Sequence, residues 1–181
     1  IITDDHLRDG LSVTGVYNLK VTNSSFSGGP QAGCDVEQHY PGGHGRSLEK
    51  IVFENCSFAN NQGFGVTIKN TGHGNNDPID LIFRNCQFYQ NKRWGIYCQG
   101  LINPKEPRGR ILFENCQVFG NQEHQIGWVA FSENVDVYFK NCFIDASQGP
   151  KNPVWLTGGT PEDLCNIFFS DCRIQDRAGR K

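Results

Sequence analysis

The chain has 181 residues, with 17 Lys and Arg against 19 Asp and Glu and a formal net charge of −2. Basic residues this few and this scattered cannot neutralise a phosphate backbone, which excludes nucleic acid as a partner. There is no long apolar run and no apolar segment behind a basic N-terminus, so neither membrane insertion nor a signal peptide is expected. Met is absent even at position 1, and the sequence reads as a mature product, a proteolytic core or an excerpt of a longer protein, with residues 1–181 forming one domain.

Taken in chain order, the predicted elements are two short strand-like runs that alternate. Gly10-Leu11-Ser12-Val13-Thr14 is followed by Val21-Thr22-Asn23-Ser24-Ser25-Phe26. Next come Gly33-Cys34-Asp35-Val36-Glu37, the irregular Gly-rich stretch 38–46, and Phe53-Glu54-Asn55-Cys56-Ser57-Phe58. Gly65-Val66-Thr67-Ile68-Lys69 then leads to Phe83-Arg84-Asn85-Cys86-Gln87-Phe88, and Gly95-Ile96-Tyr97-Cys98-Gln99 to Phe113-Glu114-Asn115-Cys116-Gln117-Val118. Gly127-Trp128-Val129-Ala130-Phe131, Phe139-Lys140-Asn141-Cys142-Phe143-Ile144 and Phe169-Ser170-Asp171-Cys172-Arg173-Ile174 complete the series. From Cys56 onward the repeated Cys steps by 30, 30, 26 and 30 residues. Such a period, filled with short β-prone runs separated by Gly, Asn and Pro, belongs to a solenoid whose strands each stack on the equivalent strand of the next coil. The predicted fold is all-β, a single-stranded right-handed parallel β-helix of about six coils. Strands are expected to begin at residues 51, 81, 111, 137 and 167. Asn at each corner tolerates left-handed backbone, and its amide can bond to the identical amide one coil away.

Five of the eight cysteines hold one repeat position and are expected to form an inward column of reduced thiols, with Cys34 and Cys98 inward on the other strand. Parallel in-register side chains fit the disulfide dihedral poorly. Reduced thiols point to assembly in a reducing cytoplasm. Alternation sends Glu54, Arg84, Glu114 and Lys140 outward as a ladder of alternating charge. The adjoining outward column, Lys20, Val52, Ile82, Leu112, Tyr138 and Phe168, is apolar in five positions and is expected to lie against another subunit.

The candidate chemistry lies on the second run. Asp35 and Glu37 share one face with Cα atoms roughly 6.5–7 Å apart, a spacing from which two carboxylates can bracket a glycosidic bond. The next coil sets Thr67 beside Asp35 and Lys69 beside Glu37. The ammonium is therefore expected to keep Glu37 ionised as the base, leaving Asp35 as the acid. Tyr97 and Gln99 follow one coil on, with Arg93 and Trp94 before them and Trp155 expected further along. His39 and Arg46 stand in the insertion behind the carboxylates. Rings beside amides and guanidinium suit a sugar polymer, whose C–H faces stack while its hydroxyls bond. Nothing in the sequence calls for a cofactor or a metal.

Arg8-Asp9-Gly10-Leu11-Ser12-Val13, followed by Gly29-Pro30-Gln31-Ala32-Gly33-Cys34-Asp35-Val36-Glu37, resembles a segment of the pectate-lyase-like β-helices of bacteriophage tailspike depolymerases. Those proteins often carry a Pro-Gln-Ala-Gly-Ile-Asp-Ile-Glu-like stretch; here Cys34 replaces an Ile, and Gln38 stands where Pro commonly follows. The resemblance implies a homotrimer carried on the virion tail that cleaves a bacterial capsular or surface polysaccharide. The fold does not choose the reaction. A polysaccharide lyase or uronate epimerase, using His39, Tyr40 or Lys69 on the proton beside a uronate carboxylate, and a non-catalytic adhesin remain alternatives.

Overall fold

The computed structural model describes residues 1–4, 8–38, 48–70, 78–100, 109–129, 135–149, 151–157 and 165–177. All regular structure in them is β. The chain visits three parallel sheets in rotation. The first stacks seven three-residue or shorter strands, Ile2–Thr3, Ser25–Ser27, Ser57–Ala59, Gln87–Tyr89, Gln117–Phe119, Phe143–Asp145 and Arg173–Gln175. The second stacks Asp9–Thr14, Ala32–Gln38, Phe64–Asn70, Ile96–Gly100, Ile126–Val129 and Val154–Thr157. The third stacks Lys20–Thr22, Leu48–Glu54, Ile79–Arg84, Gly109–Glu114, Val135–Lys140 and Asn166–Ser170. Each turn of the chain therefore contributes one strand to each sheet, and each residue sits above its equivalent one coil earlier.

The third-sheet strands start earlier than the repeat suggested, at Leu48, Ile79, Gly109, Val135 and Asn166. Ile79 and Val135 are buried one alternation ahead of the expected first inward residues, so the apolar pattern runs further back. In the second coil the extension takes a bulge, with Lys50 at φ 55° and a register shift between Leu48 and Ile51.

Register turns identical residues into ladders. Phe53, Phe83, Phe113, Phe139 and Phe169 stack face to face at 4.8–4.9 Å. Phe26, Phe58 and Phe88 form a second stack that meets the first edge-on. Between the third and first sheets, Asn23, Asn55, Asn85, Asn115, Asn141 and Asp171 all adopt φ of 50–54°. The Asn55 amide donates to Asn23, that of Asn85 to Asn55 and that of Asn141 to Asn115. Behind them lie the thiols of Cys56, Cys86, Cys116 and Cys142, buried and unbridged, each donating to a Val or Phe carbonyl of the preceding coil.

A second amide ladder occupies the next corner. Asn61, Asn91 and Asn121 are fully buried, each side chain bonding to the next, and Gln125 terminates the row. These amides fill the space where a Cβ on Gly33, Gly65 or Gly95 would stand, at 2.6–2.9 Å, which is why the second-sheet strands are introduced by glycine. On the surface, Glu54 pairs with Lys20 at 2.9 Å and Arg84 with Glu114 at 2.7 Å. Exposed pairs of this kind add little stability and serve mainly to fix register.

Candidate functional site

Alternation on the second sheet buries Val13, Cys34, Val36, Val66 and Ile68, with Leu11 partly buried beside them, and turns the residues between them outward. Two outward columns result. One runs Ser12, Asp35, Thr67, Tyr97, Gly127, Trp155, and the other Thr14, Glu37, Lys69, Gln99, Val129, Thr157. Asp35, Glu37, Lys69, Tyr97, Gln99 and Trp155 thus share one face, as the repeat required.

At the N-terminal end of this face an open groove of about 360 Å³ is lined by Arg8, Ser12, Thr14, Asp35 and Glu37. Its two carboxylates are not equivalent. Asp35 lies at the floor and is only 2% exposed. The Thr67 hydroxyl donates to its Oδ1, Lys69 Nζ lies 3.1 Å from Oδ1 and 3.2 Å from Oδ2, and Arg8 Nη2 reaches Oδ2 at 3.5 Å. Glu37 is half-buried in the groove wall, and its carboxylate makes no hydrogen bond or ion pair among the described residues.

This corrects the expected pairing of Lys69 with Glu37. Register alone puts Thr67 beside Asp35 and the ammonium beside Glu37. Instead Lys69 sits astride Asp35, diagonally across the columns, because the shielded carboxylate is the one that most needs a counter-charge.

A third carboxylate stands behind the pair. Asp9 occupies the register position held by Ala32 and Phe64 in the following coils. Its side chain is 1% exposed, and it accepts a hydrogen bond from the Ala32 amide at 3.1 Å. Arg8 Nε lies 2.9 Å from Oδ2 but forms no hydrogen bond to it. Burial, and after it the charge of Asp35, raise the Asp9 carboxyl above its ordinary range, against the pull of Arg8. Sequence reasoning did not place Arg8 and Asp9 in the site. The available signal was a charged residue in a slot that the next coils fill with Ala and Phe.

Beyond the groove the face becomes aromatic. Tyr97 stacks on Phe64 at 4.9 Å and its hydroxyl donates to Gln99 at 3.0 Å. Arg93 lies over the other ring of that pair, its guanidinium 4.8 Å from the Phe64 centroid. Trp155 is 36% exposed and stacks on His124 at 5.6 Å. Trp94, which the sequence left open between a sugar-stacking ring and a cap on the core, is 8% exposed and packs edge-on against Tyr97 and Trp155, with its indole N–H given to Glu123. It covers the backbone of Gly127, where a Cβ would lie 1.9 Å from the ring. Trp94 therefore supports the neighbouring rings from below. His39 and Arg46 lie outside the described residues. Among those residues no group of three or more His, Cys, Asp or Glu is arranged to hold a metal ion.

Residues 2–144 match the family model described as right handed beta helix region. No curated protein and no solved structure matches the chain.

Proposed function

Because the chain belongs to the right-handed β-helix family, we propose that the outer face of its second sheet binds a bacterial surface polysaccharide and hydrolyses it with Asp35 and Glu37. Polysaccharide-active enzymes and carbohydrate-binding proteins are common in the family. The observation that carries the reading is the pairing, on one face, of two inequivalent carboxylates with an aromatic track in register along the helix axis. From Asp35 to Trp155 the track spans four coil steps, roughly 19 Å, enough for several sugar rings.

Hydrolysis needs one carboxyl that gives a proton and one carboxylate that takes one. Glu37 makes no ion pair among the described residues and faces the groove, so it is assigned as the donor to the leaving oxygen as the C1–O bond breaks. Asp35, ion-paired with Lys69 and Arg8, is assigned as the acceptor. Its two oxygens are engaged by Thr67, Lys69 and Arg8, which favours action through a water over direct attack on the sugar. The water oxygen then bonds to C1, its proton passes to Asp35, and the anomeric configuration inverts. Tyr97, Gln99, Arg93 and Trp155 are assigned to substrate binding. The reading extends, with the tailspike resemblance, to a homotrimer on a virion tail assembled in the host cytoplasm, a compartment compatible with the free cysteines.

Fragment analysis tests the reaction class. Purified capsular polysaccharides incubated with the protein should yield saturated oligosaccharides with new reducing ends. Unsaturated, ultraviolet-absorbing ends would transfer the reading to a lyase, and unchanged polymer that nevertheless binds would transfer it to an adhesin.

A further inference from the structure

A larger pocket, of about 640 Å³, lies on the third sheet, on a different face from the carboxylate pair. Its floor is the middle of the apolar column. Leu112 and Tyr138 are in register, and Phe168 stacks on one face of the Tyr138 ring at 5.0 Å. Lys140 Nζ lies over the same ring, 5.4 Å from its centroid, and the phenol stands beside Leu112 as a wall of the pocket. Polar groups ring this floor in fixed positions. Arg110 Nε donates to Asp80 Oδ1 at 2.8 Å, leaving the terminal guanidinium nitrogens uncommitted to that bond. Asp136 accepts from the Tyr138 hydroxyl at 3.2 Å and from the Asn166 amide at 3.0 Å. Glu49 and Lys140 close the rim.

We propose that this pocket is a second, non-catalytic carbohydrate-binding site for an uncharged hexopyranose unit of a glycan chain. A small apolar floor with an aromatic wall, surrounded by oriented carboxylates and a guanidinium, matches a sugar's C–H face and its ring of hydroxyls. Three carboxylates, Glu49, Asp80 and Asp136, face two cations, Arg110 and Lys140. The surplus negative charge disfavours uronates and other acidic sugars. The apolar column is also only one residue wide and is flanked by charged rows. Covering the whole face with a second copy of the chain would desolvate those charges at a cost its few apolar side chains offset poorly, whereas a sugar keeps them hydrogen-bonded. A binding site on one face and a cleaving site on another would hold the protein to a polymeric surface by avidity. The site does not depend on the assignment of Asp35 and Glu37.

The test is amide chemical-shift mapping on the full chain carrying Glu37→Gln. The probes are neutral tetrasaccharides of glucose, galactose, mannose and N-acetylglucosamine, with tetragalacturonate as the anionic control. At least one neutral probe should shift Gly109, Arg110 and Tyr138, and Arg110→Ala and Tyr138→Ala should each weaken that binding tenfold or more. Tyr138→Phe, which keeps the wall, should weaken it less, and thermal melts would confirm that each variant folds. The proposal is overturned if no neutral probe shifts these amides, if tetragalacturonate binds there more tightly, or if amide hydrogen exchange shows the third sheet covered by another subunit.

Discussion

Replacing Asp35 by Asn and Glu37 by Gln are near-isosteric changes two residues apart, yet the structure makes their consequences for stability different. Asp35 is buried and carries the contacts of Thr67, Lys69 and Arg8. Asn preserves the oxygen facing Thr67 but loses the charge that balances Lys69. Breaking a fully buried ion pair by removing one partner costs about 3–5 kcal/mol. The Lys69 and Arg8 side chains remain 22% and 64% exposed and can recover hydration, so the loss should sit lower, at about 2 kcal/mol. For a domain of this size that corresponds to a fall in Tm of about 4–8 °C. Glu37→Gln removes no described partner and should stay within about 0.5 kcal/mol, a shift below about 2 °C. Scanning calorimetry of the two variants beside the parent decides the matter, with activity measured on the same samples at a temperature where all are folded. Both should lose activity by orders of magnitude, but only Asp35→Asn should lose stability. Equal melting temperatures for the two variants, or a larger loss for Glu37→Gln, would refute the buried ion pair and the assignment of roles built on it.

Asp9→Asn should show a pH-dependent stability difference. Because the folded protein holds the Asp9 proton more tightly than the unfolded chain, wild type should gain on the variant as pH falls from neutral toward the ordinary Asp value of 3.8 and lose that gain as pH rises; denaturant midpoints that differ by a constant amount across this range would count against it. Gly127→Ala drives a methyl into the Trp94 ring and should cost about 1–3 kcal/mol with a change in tryptophan emission, detectable by fluorescence-monitored melting. Asn91→Leu removes two donated bonds, to Phe58 and Asn121, and two accepted from Asn61. With the Asn61 donors left buried, urea unfolding should show a loss of about 3 kcal/mol or more.

The fold was legible because the same residue types recur at nearly constant spacing, and stacking turns recurrence into contact. The Phe ladder, the left-handed Asn corners and the buried thiols all follow from the one repeat around Cys56, Cys86, Cys116 and Cys142. The Asn61, Asn91 and Asn121 ladder carries the same 30-residue step but lies in the polar stretch between strands, where a buried amide cannot be told from a solvated one by type alone. At the site, alternation gave the columns but not the lateral reach of long side chains. Lys69 is in register with Glu37 yet crosses to Asp35, and Arg8 reaches both Asp9 and Asp35 from outside the strand. Trp94 was ambiguous for a related reason, since the space that admits its ring is set by a glycine, Gly127, on the neighbouring coil.

The most direct test of the central proposal is the release of reducing ends from a panel of bacterial capsular polysaccharides by wild type and by Glu37→Gln, compared at equal concentrations of folded protein. Wild type should cleave at least one polymer, and Glu37→Gln, with an unchanged Tm, should cleave it slower by a factor of about 100 or more. Cleavage by the variant at the wild-type rate, or no cleavage of any polymer by wild type, would contradict hydrolysis at the Asp35 and Glu37 groove.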